Sequence, residues 1–223
     1  AMERALSYLT IKPNSALIDG ETLPDQTIPN TGIIGGDDKV DSIKAASIVA
    51  KVYRDNLMIK YSKIFPEYGL DKHKGYGTTR HMEALKEYKA TPIHRKSFRP
   101  VRDNFPTLTW LDHKNRVGWL GEKIAALYLM DRDIIIEGLN KYFPPYGEID
   151  IIGIKKGIWI FAEVKSHLNG VVRSNSQLKQ FDVGKIKVSA KNYLNRYGGF
   201  HTICFAHTII NNLNLNFSRF FSV

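Results

Sequence analysis

The chain has 223 residues, of which 43% are hydrophobic and 24% are charged. This composition excludes a disordered chain, because the apolar content is high enough to build a core. No stretch is apolar enough for a transmembrane helix, Ala1–Thr10 lacks the apolar region of a signal peptide, and a single cysteine excludes an internal disulfide. We therefore expect a cytoplasmic protein with one large or two small domains.

Basic residues outnumber acidic residues by 32 to 22, and the excess is unevenly distributed. Residues 1–50 contain four basic and seven acidic side chains, whereas residues 51–100 contain twelve and five. A basic region next to an acidic one suggests a polyanionic ligand held beside a cluster of carboxylates. A basic, solvated surface would give the same count, so charge alone leaves both interpretations open.

Residues 1–103, which we call the first segment, begin with short elements and continue with longer helices. Apolar spacing and turn residues predict, in order, helix Ala1–Leu9, strands Ser15–Asp19 and Thr31–Ile34, and helices Ser42–Ile64 and Thr79–Tyr88. The pattern lapses at residues 104–115, where we predict a linker.

Residues 116–223, the second segment, alternate helices and strands in the manner of an α/β domain. The predicted elements are helix Arg116–Met130, strands Ile134–Glu137, Ile149–Ile154 and Ile158–Lys165, helix Val183–Arg196, strand Thr202–Ile210 and an edge strand over Leu213–Val223.

Two aspartates lie near the ends of the first two predicted strands. Asp19 ends the sequence ALID, and Asp37 follows TGIIGG. Carboxylates at neighbouring strand ends lie where open α/β sheets bind ligands, and a divalent cation between them would assist phosphodiester cleavage. Aspartates in such glycine-rich sequences are also common turn residues.

Four motifs surround these aspartates: ALIDG, GGDDKVDSIKAASIVAKVYRD, HKGYGTTRHMEAL and HRKSFRPV. In this order they closely resemble the C-terminal half of ribonuclease HII, over about residues 1–102. The resemblance implies a ribonuclease H-like sheet and cleavage of the RNA strand of RNA–DNA hybrids with Mg²⁺ or Mn²⁺. It marks Asp19 and Asp37 as the third and fourth catalytic, metal-binding carboxylates, and Tyr76 as the residue that stacks at the RNA–DNA junction.

The first segment departs from that family in one motif. It lacks the DExGRG sequence that supplies the family's first two metal-binding carboxylates. We therefore expect an incomplete ribonuclease H-like α/β half without ribonuclease activity by itself, because two of four carboxylates hold two metal ions poorly. Its basic side chains are expected to bind nucleic acid, in particular Lys51, Arg54, Lys74 and Arg95.

A predicted hairpin in the second segment carries GEIDIIGIKKGIWIFAEVKSH. Pairing across the Lys155–Gly157 turn puts Asp150 opposite Glu163 or its immediate neighbour. Facing carboxylates repel unless a cation lies between them, and Lys165 shares one strand face with Glu163. This set suits metal-assisted phosphodiester hydrolysis. A solvated surface ion pair between glutamate and lysine is the alternative.

The motifs GWLGEKIAALYL, GEIDIIG, FAEVKSH and KIKVSAKNYL extend this observation over about residues 116–197. They resemble the YraN-like family of PD-(D/E)xK nucleases, which implies a restriction-endonuclease-like α/β domain with a central mixed sheet. The resemblance marks an active-site set, with Asp150 and Glu163 as ligands of Mg²⁺ or Mn²⁺ and Lys185 as a phosphate contact. The set consists of Glu122, Asp150, Glu163 and Lys165. From helix spacing alone, a solvated glutamate is the favoured interpretation of Glu122.

These patterns predict a metal-dependent nuclease made of two fused segments, with RNA–DNA hybrid or structured DNA as its partner. The alternative is a catalytically incomplete protein that binds nucleic acid or another chain. Four histidines in basic regions are expected to contact phosphate or solvent, namely His73, His81, His94 and His167.

Overall fold

A computed structural model of the chain describes residues 2–144, 147–168, 183–210 and 220–222. The chain divides into two compact units, Ala1–Leu57 and Met58–Val223. None of the helices in the described residues is long and apolar enough to cross a membrane.

The first unit has few buried side chains. Its elements are α1 (Met2–Ser7), β1 (Ala16–Asp19), β2 (Asn30–Ile33), α2 (Gly36–Lys39) and the beginning of α3 (Asp41–Ile64). Strands β1 and β2 pair in parallel and form a two-stranded sheet. Ile18, Ile28 and Ile43 are its buried apolar residues. Neighbouring apolar side chains on α3 are exposed, including Ile48, Val49, Val52 and Tyr53.

The second unit begins within α3 and continues through short helices. They are a 3-10 turn at Pro66–Tyr68, α4 (Leu70–His73), α5 (Thr79–Tyr88), α6 (Arg99–Arg102) and α7 (Leu108–His113). Helix α7 lies inside the predicted linker of residues 104–115, and its Leu111 is buried. Thr107 caps this helix by accepting a hydrogen bond from the Trp110 backbone N–H at 3.0 Å. The division of the chain into domains at this position stays a prediction.

The rest of the second unit is a five-stranded mixed sheet with helices. Its elements are α8 (Val117–Met130), β3 (Ile135–Phe143), β4 (Gly147–Lys155), β5 (Ile158–Leu168), α9 (Val183–Tyr197), β6 (Phe200–Ile210) and β7 (Phe220–Ser222). The strand order is β3-β4-β5-β6-β7. Only the β5–β6 pair is parallel among these described strands. The predicted α/β class with a central mixed sheet is confirmed.

Two buried clusters hold this sheet between helices. Ala125 and Ala126 of α8 pack in one cluster with Ala162 of β5, and this cluster includes Ile64, Phe65 and Tyr68. Ile186 and Ala190 of α9 pack in the other cluster with Phe161 and Phe205. Side chains of the first segment therefore belong to the same core as the second segment.

Candidate active site

A two-residue turn sets the register of the hairpin that carries the predicted site. Ile151 pairs with Ala162, and Lys155 pairs with Ile158, so Lys156 and Gly157 form the turn. Both turn residues have positive φ angles, 51° and 78°, as a type I′ turn requires. Continuing the same register from the first of these pairs brings Asp150 beside Glu163 on the neighbouring strand.

Hydrogen bonds fix the two carboxylates on this strand pair. The Val164 backbone N–H donates to Asp150 Oδ2 at 2.6 Å. Lys165 Nζ donates to Glu163 Oε1 at 2.7 Å, and the two side chains share one face because they are two residues apart. Val164, between them, is buried in the core. The structure thus brings the predicted Asp150, Glu163 and Lys165 together.

The surroundings of Asp150 disfavour its charged form. Burial, followed by the negative charge of Glu163, raises the pKa of the Asp150 carboxyl to about 7, against an ordinary 3.8. The Val164 hydrogen bond and Lys165 act in the opposite direction but do not cancel these effects. A carboxyl group in this state gains more from a bound cation than an exposed carboxylate does.

Glu122 reaches the same region from α8, because this helix lies very close to the sheet. A Cβ atom on Gly121 would lie 1.8 Å from Ser166 Oγ and 2.3 Å from Thr208 Oγ1, so the close approach depends on glycine. Burial raises the pKa of Glu122, and the charges of Glu148 and Glu163 raise it further. The structure therefore places Glu122 within electrostatic range of the other predicted carboxylates.

Asn140 is a site residue that sequence reasoning missed. Its Nδ2 donates to Glu122 Oε2 at 2.8 Å, and it lies between Leu139 and Lys141, the partners of Ile151 and Ile149. Asn140 is therefore next to Asp150 on the other neighbouring strand. It has a left-handed φ of 51°, near a break in register. The Gly-Leu-Asn sequence inside a strand was the available signal, because glycine and asparagine there indicate irregular backbone.

The donor chemistry of this region fits one hard divalent cation. The described residues contain no group of three or more His, Cys, Asp or Glu side chains arranged to hold a metal ion. Mg²⁺, however, commonly takes one or two protein carboxylates and completes its shell with water and phosphate oxygens. Asp150 and Glu163 can supply that pair. Burial and the negative charge of Glu163 raise the pKa of the Asp150 carboxyl, so a bound cation would favour its charged form.

The predicted carboxylates of the first unit are arranged differently. Asp19, at the end of β1, accepts a hydrogen bond from the Gly36 backbone N–H at 2.9 Å. Asp37 lies on the four-residue α2, and both aspartates are exposed. The described residues of this unit add no metal-binding group to them. The roles of Asp19 and Asp37 stay predictions.

The predicted nucleic-acid contacts are mostly on the surface. Tyr76 is 58% exposed in the loop before α5, and Lys74 Nζ donates to the Asp71 carbonyl. Arg95 lies over the Phe98 ring at 4.3 Å, and Lys185 is exposed on α9. In the first unit, Lys51 and Arg54 both lie within about 4 Å of Asp55, at 4.0 and 3.9 Å.

Three histidines expected on the surface form a packed network instead. His73 and His81 stack with ring centroids 4.6 Å apart, and the Nε2 atoms of His81 and His94 lie 3.3 Å apart. His94 Nδ1 is 3.2 Å from the Thr91 backbone nitrogen, which donates to it, and His81 Nδ1 lies 3.0 Å from the Tyr76 carbonyl. The prediction of phosphate contact or solvation was wrong for His81, which is 6% exposed, and it stays a prediction for the other two. Burial lowers the pKa of His81 and takes that of His94 to about 4.

Comparison with known proteins assigns the two segments to different families. Residues 1–101 match the family model for Ribonuclease HII, and residues 121–216 match the Uncharacterised protein family UPF0102, the YraN family. Both resemblances stated from the sequence motifs are thereby confirmed. Each match covers less than half of the chain, and the two matched regions follow one another without overlap.

Relatives of the first segment are ribonucleases HII from several bacteria. The protein from Shewanella pealeana is 52% identical over 103 residues, which is 46% of this chain and 51% of the relative. The Lactobacillus helveticus protein is 52% identical over 105 residues, which is 47% of this chain and 42% of the relative. The Coxiella burnetii protein is 50% identical over 102 residues, which is 46% of this chain and 50% of the relative. The chain thus spans about half the length of these relatives.

Proposed function

We propose that the second segment is a metal-dependent endonuclease that hydrolyses a phosphodiester bond in structured nucleic acid. The observation that carries this proposal is the convergence of Asp150, Glu163 and Lys165 on one hairpin, with Lys165 Nζ 2.7 Å from Glu163 Oε1. A surface ion pair alone would not explain the neighbouring Asp150, whose carboxyl has a pKa of about 7.

Asp150 and Glu163 would hold Mg²⁺ or Mn²⁺, which when bound supplies Lewis-acid activation of phosphate and water. Asp150 must lose its proton before it can serve as a ligand, so we expect the site to load better above pH 7. Lys165 is held on the same face, where its ammonium can offset the charge that develops on the attacked phosphate. Glu122, positioned by Asn140, completes the acidic side of the site.

The partner in this proposal is nucleic acid, held mainly through its phosphates. The net charge of +10 and the exposed Arg95 and Lys185 support this part. Tyr76 would stack on the sugar of an RNA–DNA junction, as the ribonuclease HII resemblance implies, and a cytoplasmic location is part of the same proposal. Cleavage would leave a 3′-hydroxyl and a 5′-phosphate, as the resemblance to ribonuclease HII and to the YraN-like family implies.

Metal titration with a cleavage assay tests this function. Wild-type protein, Glu163→Gln and Asp150→Asn are titrated with Mn²⁺ in a calorimeter and assayed on flapped and branched DNA. We expect wild type to bind the ion and cut, and both variants to bind it more weakly and lose cleavage. Wild-type protein that binds no Mn²⁺, with or without DNA, would reduce the second segment to a nucleic-acid binder.

A second candidate function is favoured by the first unit. Its buried apolar core is small, while Ile34, Ile48, Val49 and Tyr53 are between 59% and 74% exposed. Contiguous exposed apolar side chains are typical of interaction surfaces. On this alternative the first segment binds another chain and does not cleave RNA–DNA hybrid by itself. A hybrid-cleavage assay on wild type and Asp19→Asn tests this alternative. If wild type cleaves the hybrid and Asp19→Asn does not, the first segment has ribonuclease activity and the alternative is contradicted.

A further inference from the structure

The two family segments meet inside the second unit at a buried charged side chain. Lys123 of α8, in the second segment, is 4% exposed. Its Nζ donates to the Ile64 carbonyl at 2.6 Å and lies 3.0 Å from Glu67 Oε1. Both partners belong to the first segment. Because a buried ammonium is costly without partners, this contact commits residues 64–67 and α8 to one arrangement.

Glu67 is held by the same helix at a second point. Trp119, one turn before Lys123, donates from Nε1 to Glu67 Oε1 at 2.8 Å. Lys123 Nζ also lies 5.3 Å from the Trp119 ring centre and 5.6 Å from that of Phe65. Within the described residues, Glu67 Oε2 is buried and has no hydrogen-bond partner. One carboxylate oxygen of the first segment therefore receives two donors from α8.

A cleft of about 580 Å³ opens next to this contact. Ser62, Lys63, Pro66 and Glu67 of the first segment form one wall. The other wall belongs to the second segment and includes Trp119, Glu122, Lys123 and residues 137–141. Glu122 is the residue next to Lys123 in the chain, so α8 presents the contact with the first segment and the candidate site carboxylate at adjacent positions.

We propose that residues 62–67 of the first segment are a structural part of the candidate nuclease site, and that Glu67 and Lys123 are positioning residues for Glu122. Lys123 fixes the rotation and height of α8 against residues 64–67, and this placement brings the Glu122 carboxylate to Asn140 in the cleft. The positioning role rests on the proposed function of Glu122. The contact between the segments stands on the geometry of Lys123 and Glu67 alone.

A double-mutant cycle in the full chain measures the contact. Glu67→Gln preserves shape and keeps an acceptor for Trp119, whereas Lys123→Met removes the charge at similar length. Removing one partner of a buried ion pair leaves the other charge uncompensated, so we expect Lys123→Met to lower Tm by roughly 6 °C or more. The decrease in Tm of the double variant should be clearly smaller than the sum of the decreases in the two single variants.

The exposed pair Lys63–Glu137 provides a matched control on the same cleft. Its atoms are 3.3 Å apart, and the side chains are 42% and 37% exposed. Lys63→Met and Glu137→Gln should each change Tm by less than about 2 °C and should combine additively, because exposed pairs contribute little. Coupling in the Glu67–Lys123 cycle that is no larger than in this control would overturn the proposal.

The positioning role needs a measurement that packing alone would not change. The NMR signal of the Asn140 side-chain amide, identified by its absence in Asn140→Ala, reports the hydrogen bond to Glu122. We expect Glu67→Gln and the double variant to shift this signal and to weaken Mn²⁺ binding by about 10- to 100-fold. Lys156→Ala, at an exposed position in the hairpin turn and outside the residues that line the cleft, should leave both unchanged.

An unshifted Asn140 signal in folded Glu67→Gln and double variants would overturn the positioning role, even if the Tm cycle showed coupling. Wild-type protein that bound no Mn²⁺ would contradict the proposed function. The Tm values of the double-mutant cycle and the Asn140 signal would still decide whether Glu67 and Lys123 position Glu122. The two failures are therefore distinguishable.

Discussion

The two candidate carboxylate pairs use the same kinds of side chain in different surroundings. Asp19 and Asp37 are exposed on a two-stranded sheet and a four-residue helix, in a unit with few buried side chains. Asp150 and Glu163 lie within a five-stranded sheet packed by α8 and α9, and burial with mutual repulsion raises the pKa of Asp150 to about 7. From this comparison we expect packing, more than residue type, to make a carboxylate pair favour a cation.

The largest effect that would sharpen this contrast is expected at Lys165. Lys165→Ala should lower cleavage of flapped DNA roughly 10³-fold with Mn²⁺, because a cation aimed at the developing phosphate charge is lost. Metal affinity should stay nearly unchanged. Lys156→Ala, an exposed lysine in the same hairpin, is the control and should cut like wild type. Equal rates for both variants in a gel assay would contradict the role of Lys165.

The pH dependence of stability should separate the half-buried pair from the exposed one. The folded chain keeps the Asp150 proton up to about pH 7, whereas the unfolded chain loses it near 3.8. The stabilisation that the raised pKa of Asp150 provides is complete below pH 4 and is lost as the pH rises to about 7. In metal-free buffer, the free energy of unfolding of Asp150→Asn relative to wild type should therefore be roughly 3 kcal/mol higher at pH 8 than at low pH.

Urea unfolding of both proteins at pH 4.5, 6 and 8 measures this difference. Asp19→Asn, measured over the same range, is the comparison in the exposed pair. A constant difference between Asp150→Asn and wild type at all three values would show that Asp150 titrates normally.

The close packing behind Glu122 predicts a smaller loss. Gly121→Ala should destabilise the chain by about 2 kcal/mol, because the new methyl group would overlap Ser166 and Thr208. Gly118→Ala lies one turn earlier, where the nearest atom to a new Cβ is 3.8 Å away, and should be neutral or stabilising by up to about 1 kcal/mol. Thermal unfolding of both variants measures the effect. Equal values for the two would show that α8 can move away from the sheet.

The smallest effects are expected at individual basic side chains. Affinity for duplex or hybrid should fall steeply with salt, and Lys185→Ala should reduce the slope of the log–log salt plot by about one. Arg95→Ala should act similarly, with little dependence on nucleotide sequence. Fluorescence titration at several salt concentrations provides the slopes. A flat plot for wild-type protein would remove the phosphate-contact interpretation.

Local pattern predicted the part of the site that depends on one hairpin. Alternation placed Glu163 and Lys165 on one strand face, and the Lys-Gly turn gave the register that brings Asp150 beside them. These relations follow from the two-residue period of a strand, which needs no knowledge of the rest of the fold. The α/β class of the second segment also agreed with the order of predicted elements, and that of the first segment came from its resemblance to ribonuclease HII.

Contacts between distant parts of the chain were not predictable in this way. Lys123 and its partner Ile64 are separated by 59 residues, and nothing in a lysine on an amphipathic helix distinguishes burial from exposure. His81 and His94 were missed for the same reason, since their network needs α5 and the loop after it to pack together. Helix α7 was missed because six residues are too few to establish a helical period.

The two-residue turn at Lys156 and Gly157 makes hairpin length, as well as hairpin composition, a constraint on this family segment. One inserted residue would shift β5 by a single step against β4 and turn each of its side chains to the opposite face. Val164 would then leave the core, and Glu163 and Lys165 would enter it. Insertions and deletions of one residue in the turn should therefore be strongly selected against.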